Sequence, residues 1–190
     1  MKKSEARSYY RTARRALEPK ALARHGDLIA QHLGSWIIDN VPSGMTVALH
    51  YGMDAYGEVP TVGLHEALTH THRLAYPKVL GKGLAFHRAQ KLSDLAPGFN
   101  RIPEPVLADA VGVDELAVVV VPGVAFTRDG SRLGQGGGHY DRLLSALGFR
   151  AKAIGIAHTL QIADEIECFE RDQRVHGVLT EDGWLLKPEA

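Results

Sequence analysis

The chain has 190 residues, of which 45% are hydrophobic and 23% are charged, as is usual for a soluble globular protein. Its 22 Lys and Arg balance 22 Asp and Glu, so net charge favours neither a nucleic acid nor a membrane as partner. A single cysteine, Cys168, excludes an intrachain disulfide. No apolar run follows the basic N-terminus, and we expect a cytoplasmic protein.

The first predicted helix, over residues 3–17, concentrates positive charge. Residues 1–24 hold eight Lys and Arg against two Glu. Four of these cations follow helical spacing and form a stripe: Lys3, Arg7, Arg11 and Arg14. Such a stripe either contacts phosphates or is a solvated helix face.

The remaining pattern alternates helices and strands. A second helix is predicted over 21–39, a third from Pro60 to about residue 70, and a fourth from His139. Strands are predicted over 46–51, 73–76, 83–87, 118–121, 152–158 and 174–179, with a helical turn over 91–95. Residues 97–105 are predicted to be an irregular loop, and the tail 187–190 to be loose. This alternation predicts one three-layer α/β domain over residues 1–190, with a mostly parallel sheet.

A glycine cluster, Gly134-Gln135-Gly136-Gly137-Gly138, lies between the valine strand and the last helix. Backbone N–H groups can converge on an anion at such a loop. The Walker A pattern fails because no Lys-Ser or Lys-Thr follows, and the dinucleotide fingerprint fails because a long loop separates the glycines from the strand. A mobile connection is the other interpretation, although ordering so many glycines costs conformational entropy.

Several motifs in this order resemble the 5-formyltetrahydrofolate cyclo-ligase family. The strongest are VPGVAF and RLGQGGGHYDRLL, which resemble the family's PG-x-A-F and RLG-x-G-x-G-Y-Y-D. The others are Lys3 and Arg7 for K-x-x-x-R, Glu58-Val59-Pro60-Thr61 for E-[VI]-x-T, and Ile102-Pro103-Glu104-Pro105 for I-P-E-P. The agreement extends over nearly the whole chain.

The resemblance implies a fold akin to the ribose-phosphate isomerase and CoA-transferase group. It also implies that ATP and Mg²⁺ support the conversion of 5-formyltetrahydrofolate to 5,10-methenyltetrahydrofolate, with release of ADP and phosphate. The formyl oxygen would be phosphorylated, and ring closure by N10 would then displace it. The partners would be the folate substrate and ATP, and the protein would be a monomer or weak homodimer.

Site residues follow from the matching positions. The resemblance implies Lys3, Arg132 and Tyr140 as catalytic residues and Asp141 as the metal ligand. The folate would contact Met53, Glu58, Phe99 and Tyr140. ATP would contact Lys3, Arg7, Arg132, Leu133, Gly134, Gln135, Gly136, Gly137, Gly138, His139 and Tyr140.

Three positions depart from the family pattern. His139 replaces a tyrosine, Gln135 stands where a cation or tyrosine is expected, and His176 replaces a second metal-associated aspartate. A non-catalytic folate- or nucleotide-binding paralogue is therefore a second hypothesis, and a sugar-phosphate or CoA-handling enzyme is a third. A serine hydrolase is excluded because no G-x-S-x-G motif is present.

The ten histidines raise a transition-metal site as an alternative. His65, His70 and His72 lie close in sequence, but neither a cysteine nor a set of carboxylates completes a site there. We therefore expect solvated surface histidines.

Overall fold

An eight-stranded sheet forms the centre of the computed structural model, which describes residues 1–148 and 151–189. Within these residues the helices are α1 (Lys3–Arg15), α2 (Pro19–Asn40), α3 (Val62–Leu68) and α4 (His139–Ala146). The first six strands are β1 (Thr46–Ala48), β2 (Arg73–Leu80), β3 (Gly83–Arg88), β4 (Leu95–Pro97), β5 (Pro103–Pro105) and β6 (Ala110–Val111). The others are β7 (Leu116–Val121), β8 (Ala125–Phe126), β9 (Arg132–Leu133), β10 (Lys152–Ile156), β11 (Gly177–Thr180) and β12 (Gly183–Leu186).

The strand order in the large sheet is β12-β11-β10-β7-β1-β2-β3-β6. The strands from β11 to β2 pair in parallel, whereas β12, β3 and β6 pair antiparallel at the two edges. The chain proceeds from β1 to β2 on one side and from β7 to β10 on the other. The crevice beyond β1 and β7 is thus a topological switch point, where ligands bind in open α/β sheets.

The valine strand β7 is buried on both faces of the sheet. Val118 and Val120 pack in one cluster with α2 and α3, whereas Val119 and Val121 pack in another with Leu143 of α4. Successive side chains of a strand point to opposite faces, so a continuous apolar run fits a strand covered on both sides. The predicted α/β fold with a mostly parallel sheet is confirmed, and its three layers follow from these two clusters.

Helix α1 packs beside the sheet over the loop region rather than on either face. Its Ala6 and Tyr10 are buried against Val124, Leu133 and Ala163. This small apolar contact places the cationic stripe of α1 next to the glycine cluster.

Two predictions about strands need correction. The strand predicted to end before Pro77 continues through it to Leu80. Strand β1 pairs with β2 only as far as Ala75, so Pro77 has a neighbouring strand on one side alone, where a missing N–H is tolerated. The C-terminal strand β12 was not predicted at all, because its sequence GWLL is short and lacks alternation.

The predicted irregular loop over 97–105 is instead a small hairpin of β4 and β5. Its connection contains Asn100 in the left-handed region, with φ 53°. Asparagine tolerates that conformation, and prolines are tolerated in a two-stranded ribbon because its outer edges need no donor.

None of the helices in the described ranges is both long and apolar enough to cross a bilayer. The cytoplasmic location stays a prediction.

Candidate active site

A cavity of about 810 Å³ opens at the switch point, beyond the carboxyl ends of β1 and β7. His50 and Tyr51 follow β1 into its wall, and Pro122 and Gly123 follow β7. Every site residue named from the sequence lines this cavity except Met53. Residues brought together from both ends of the chain therefore form one site.

The glycine cluster forms one wall and is attached to α1. The Arg7 Nε donates to the Gly134 carbonyl oxygen at 2.8 Å, and the Arg11 Nε donates to the Gln135 side-chain oxygen at 2.9 Å. Arg11 therefore provides a positive charge next to Gln135, where the family pattern has a cation or a tyrosine. Gly136 and Gly138 have φ of 108° and 66°, values that glycine adopts without strain.

Arg132 and Asp141 form a partly buried ion pair behind these glycines. The Arg132 Nη2 donates to the Asp141 Oδ1 at 2.8 Å, and the guanidinium carbon lies 5.8 Å from the centre of the Tyr140 ring. Burial raises the pKa of Tyr140 above its ordinary value of 10.0, although the Arg132 charge opposes the shift. Tyr140 is therefore a neutral hydrogen-bond donor at neutral pH.

Lys3 is paired with Asp172, and both residues line the cavity. Its ammonium also lies 4.2 Å from the centre of the Phe169 ring. Burial alone would raise the pKa of Asp172, but the hydrogen bonds from Lys3 and the Phe169 amide, with the nearby positive charges, lower it overall. The carboxylate is thus ionised and holds Lys3 over the cavity.

The cavity wall also contains an ion pair that was not predicted from the sequence. Arg14, with 3% of its side chain exposed, donates to the Glu58 Oε1 at 3.1 Å. It also donates to the carbonyl oxygens of Tyr56 at 2.9 Å and Gly123 at 3.2 Å. The sequence did point to Arg14, because its spacing places it in the cationic stripe of α1. The partner was not visible, because Glu58 lies 44 residues further along the chain.

Met53 supports Glu58 through its backbone, since its N–H donates to the Glu58 Oε2 at 3.2 Å. Its side chain is half-buried and does not line the cavity. Phe99 does line it, with an exposed ring on the β4–β5 connection. The structure therefore brings Phe99 to the site and leaves the Met53 side chain beside it.

Two further cavity residues were not predicted as site residues from the sequence. His50 is buried, and burial lowers the pKa of its imidazole below 6.5, so the ring is neutral at neutral pH. Its Nδ1 lies 3.3 Å from the Val120 carbonyl oxygen. Glu104 is also buried and accepts a hydrogen bond from the Val79 N–H at 3.2 Å. The I-P-E-P motif pointed to Glu104, but not to its position in the wall.

The positions that depart from the family pattern lie in different places. His139 lines the cavity, and its buried Nδ1 has no hydrogen-bond partner among the described residues. His176 is outside the cavity lining, where its Nδ1 accepts from the Ala153 N–H at 2.9 Å. His176 is therefore a structural partner of β10.

The expectation of solvated histidines was wrong for two of the three that it concerned. His65 is buried with its Nδ1 2.9 Å from the Tyr76 hydroxyl. His72 is buried between the Thr71 hydroxyl and the Val41 carbonyl oxygen. Only His70 is exposed. Buried polar groups need such partners, and these two rings have them.

Fold and site together define a class: an α/β protein with a cationic, glycine-walled cavity at the switch point of a parallel sheet. The model of the 5-formyltetrahydrofolate cyclo-ligase family matches residues 1–181, and the chain belongs to that family. The 5-formyltetrahydrofolate cyclo-ligase of Escherichia coli K12 is 32% identical over 177 residues, covering 90% of this chain and 95% of that protein. The mouse protein of the same name is 33% identical over 81 residues, covering 40% of each.

Solved structures show the same fold. The NMR structure of Aquifex aeolicus 5,10-methenyltetrahydrofolate synthetase superposes with a TM-score of 0.78 at 27% identity, covering all of this chain and 96% of that one. The Mycoplasma pneumoniae 5,10-methenyltetrahydrofolate synthetase gives a TM-score of 0.78 at 23% identity, covering 95% of this chain and 99% of that one. The second likeness concerns the fold alone.

Proposed function

We propose that this protein closes the ring of 5-formyltetrahydrofolate to give 5,10-methenyltetrahydrofolate, at the expense of ATP. The observation that carries the proposal is that two chemically different groups of residues line one cavity, which we call its phosphate half and its folate half. One half joins Lys3, Arg7 and Arg132 to the glycine wall, and the other presents the Glu58 carboxylate. Phosphate groups suit the first half and a flat aminopyrimidinone suits the second.

In the phosphate half, transfer needs positioning and positive charge on the phosphate oxygens more than covalent chemistry. Lys3 and Arg132 are each held by one carboxylate, which orients them without filling all their donors. The glycine wall lets the backbone approach the phosphates closely, and α4 begins directly after it, so its N-terminal N–H groups favour negative charge.

The residues present fit Mg²⁺, which prefers hard oxygen ligands and shares them with phosphates. Asp141 lines the cavity with its side chain 22% exposed, and Arg132 contacts only its Oδ1. We infer that Asp141 is the protein ligand for Mg²⁺. When bound, the ion would neutralise charge on the transferred phosphate.

In the folate half, Glu58 would accept two N–H donors from the pterin edge. Each of its oxygens already accepts one hydrogen bond, from Arg14 or from the Met53 N–H, and an ionised carboxylate has further acceptor capacity. Phe99 would stack against the folate, with Met53 acting through Glu58. Tyr140, which is neutral and lies next to Arg132, would donate a hydrogen bond to the formyl oxygen.

The reaction consists of two successive displacements. The formyl oxygen attacks the γ-phosphorus and the bond to ADP breaks. N10 then attacks the activated formyl carbon, loses its proton, and the carbon–oxygen bond breaks to release phosphate. The protein's part is to hold the two substrates with the formyl oxygen at the phosphate half and to exclude water from the intermediate.

The test is formation of the methenyl product, followed by its absorbance, from 5-formyltetrahydrofolate with ATP and Mg²⁺. We expect product only when ATP is present, and at least a hundredfold lower kcat in the Lys3→Ala variant. Arg24→Ala is the control, because Arg24 is an exposed cation outside the cavity. A folded protein that makes no product would overturn the proposal.

The second candidate is a non-catalytic binding protein of the same fold, and the observation that favours it is His139 in place of the family's tyrosine. It predicts calorimetric binding of the folate and of ATP without turnover. Product formation that consumes one ATP per ring closed would exclude it.

We also propose that residues 1–190 act as one domain and that each chain is active by itself, as a monomer or weak homodimer. Lys3 and Asp172, which lie near the two ends of the chain, both line the same cavity, which supports this proposal. Activity per chain should then be independent of protein concentration. The kinship with the ribose-phosphate isomerase and CoA-transferase group stays a prediction.

A further inference from the structure

A second cluster of chemistry-bearing side chains lies outside the cavity lining. His25 belongs to α2, His158 follows β10, and Glu181 lies in the turn between β11 and β12. The His25 Nδ1 is 2.9 Å from the His158 Nδ1 and 3.5 Å from the Glu181 Oε1. One possible ligand atom from each residue lies within 4.8 Å of the other two.

Backbone contacts define which atoms of the cluster carry free lone pairs. The His158 Nε2 lies 3.2 Å from the Gly57 carbonyl oxygen, which can only accept, so Nε2 carries the proton. The Nδ1 of this fully buried ring therefore presents a lone pair to the cluster. The Glu181 carboxylate is oriented by the Thr159 N–H, which lies 3.1 and 2.9 Å from its two oxygens. Metal-binding imidazoles and carboxylates are commonly held by such outer partners.

The spacing suits a small tetrahedral ion. Zinc binds imidazole nitrogen and carboxylate oxygen at about 2.0–2.2 Å, which puts neighbouring ligand atoms of a tetrahedron about 3.3–3.6 Å apart. The distance from the His25 Nδ1 to the Glu181 Oε1, 3.5 Å, lies in that range, and the 2.9 Å to the His158 Nδ1 lies below it, so small rotations of these side chains would suffice. His25 and Glu181 are 19% and 11% exposed, which leaves one side open for a water as fourth ligand.

The donor types favour zinc over the metal of the nucleotide half. Two imidazoles and one carboxylate suit Zn²⁺, whereas Mg²⁺ prefers oxygen ligands. From the geometry and this donor set, we propose that His25, His158 and Glu181 bind one Zn²⁺ ion per chain at a site separate from the cavity. The ion would join α2, the end of β10 and the β11–β12 turn, which are far apart in the sequence.

The site also has a short connection to the cavity. Gly57, whose carbonyl oxygen orients His158, directly precedes Glu58. The added Cβ of an alanine at Gly57 would lie 2.3 Å from the Arg14 carbonyl oxygen, so this segment packs tightly on α1. Zinc would thus stabilise the segment that carries Glu58, in addition to the three segments that it joins.

The experiment uses the full-length protein after treatment with a chelator and removal of the chelator. Cobalt(II) is added as a spectroscopic probe of tetrahedral sites, and Zn²⁺ binding is measured by calorimetry in excess Mg²⁺. We expect one equivalent of cobalt with the intense visible bands of a tetrahedral centre, displacement by Zn²⁺, and a higher Tm with Zn²⁺. The His25→Gln and Glu181→Gln variants should bind at least tenfold more weakly.

The control is His32→Gln, which removes an exposed histidine seven residues further along the same helix and should keep full binding. His158 is left intact because its substitution in the core endangers folding. Thermal melts of both metal-free variants check that they fold. If His25→Gln does not fold, the zinc affinity of Glu181→Gln alone tests the proposal. Absence of the tetrahedral spectrum would overturn the proposal, as would equal binding by the variants and the wild type. The cluster would then be a hydrogen-bonded network alone.

Discussion

Arg14 and Glu58 illustrate how two charges can be placed in the wall of a cavity. Their side chains are 3% and 16% exposed, and all three carbonyl or carboxylate partners of Arg14 lie within 3.2 Å. Burial lowers the pKa of Arg14 below its ordinary value, while the Glu58 charge and hydrogen bond oppose the shift. Each charge therefore depends on the other, and a single substitution leaves its partner uncompensated.

Glu58→Gln should separate the structural role of this pair from its role in binding. We expect a loss of about 3 kcal/mol in the free energy of unfolding, because a nearly buried guanidinium loses its counter-charge. Folate affinity should fall at least tenfold, while ATP affinity changes less than threefold. Urea unfolding and calorimetry measure the two effects.

The matched control is Glu115→Gln, which breaks the exposed Arg88–Glu115 pair of 3.2 Å and should change stability by less than about 0.5 kcal/mol. Adding Arg14→Met to Glu58→Gln should restore part of the stability and none of the folate affinity. If folate and ATP affinities fell equally, Glu58 would act through stability alone.

His65 provides a pH dependence of stability. Burial lowers its pKa below 6.5, so the folded state favours the neutral ring that contacts the Tyr76 hydroxyl. This contribution is complete above about pH 6.5 and is lost as the pH falls below it, because the unfolded chain then binds the proton more readily. We expect the stability difference between wild type and His65→Gln, from urea unfolding, to shrink between about pH 7.5 and pH 5.5. A difference independent of pH would contradict this prediction.

At the scale of elements, the glycine wall depends on its attachment to α1 and α4. Arg7 and Arg11 hold the wall from one side, and Gly138 is the N-cap of α4 on the other. The wall therefore has a defined shape although four of its five residues are glycine, and the alternative of a mobile connection is not needed.

Gly138→Ala should test this preorganisation. A side chain at φ 66° costs about 1–2 kcal/mol, and the new Cβ would meet the Arg142 Nη1 at 2.9 Å. We expect the KM for ATP to rise at least tenfold with little change in the KM for the folate, measured in the methenyl assay.

The control for Gly138→Ala is Gly148→Ala, near the other end of α4. Gly148 has no positive φ, and an added Cβ there meets no atom of the described residues within 4 Å. This variant should keep wild-type kinetics. An unchanged KM for ATP in Gly138→Ala would show that the wall needs no glycine there.

At the scale of the whole molecule, the cavity joins segments from both ends of the chain. Lys3 is paired with Asp172 across 169 residues, and Arg7 reaches Gly134 across 127. A ligand that contacts these groups must therefore stabilise the packing of α1 and of the C-terminal segment together.

ATP with Mg²⁺ should thus raise the unfolding temperature. Ligand at a hundred times its Kd contributes about 2.7 kcal/mol, which corresponds to a Tm increase of roughly 5–10 °C for a chain of this size. Thermal melts with ATP alone should show a smaller increase, and Asp141→Asn should reduce the difference that Mg²⁺ makes. An increase that is the same with and without Mg²⁺ would argue against Asp141 as a metal ligand.

Much of the fold could be predicted from the sequence because the signals are local. The apolar run of β7, the helical stripe of α1 and the glycines before α4 each appear in consecutive residues. Hydrophobic periodicity reports which faces are buried, and it identified these elements near their observed bounds. The predicted end of β2 at Pro77 was wrong because a proline is tolerated there only where β1 no longer pairs with β2. The end of that pairing is not a local property of the sequence.

The sequence by itself determined the order of the main helices and central strands, the family, and the motif residues of the cavity, because motif residues keep their spacing whatever surrounds them. Only the tertiary structure decided which charges meet: Arg14 with Glu58, Lys3 with Asp172, and His25 with His158 and Glu181. Such pairs join segments that are distant in the chain. Their meeting is set by how α1 and α2 pack against the strand ends, and no periodicity in the sequence encodes it.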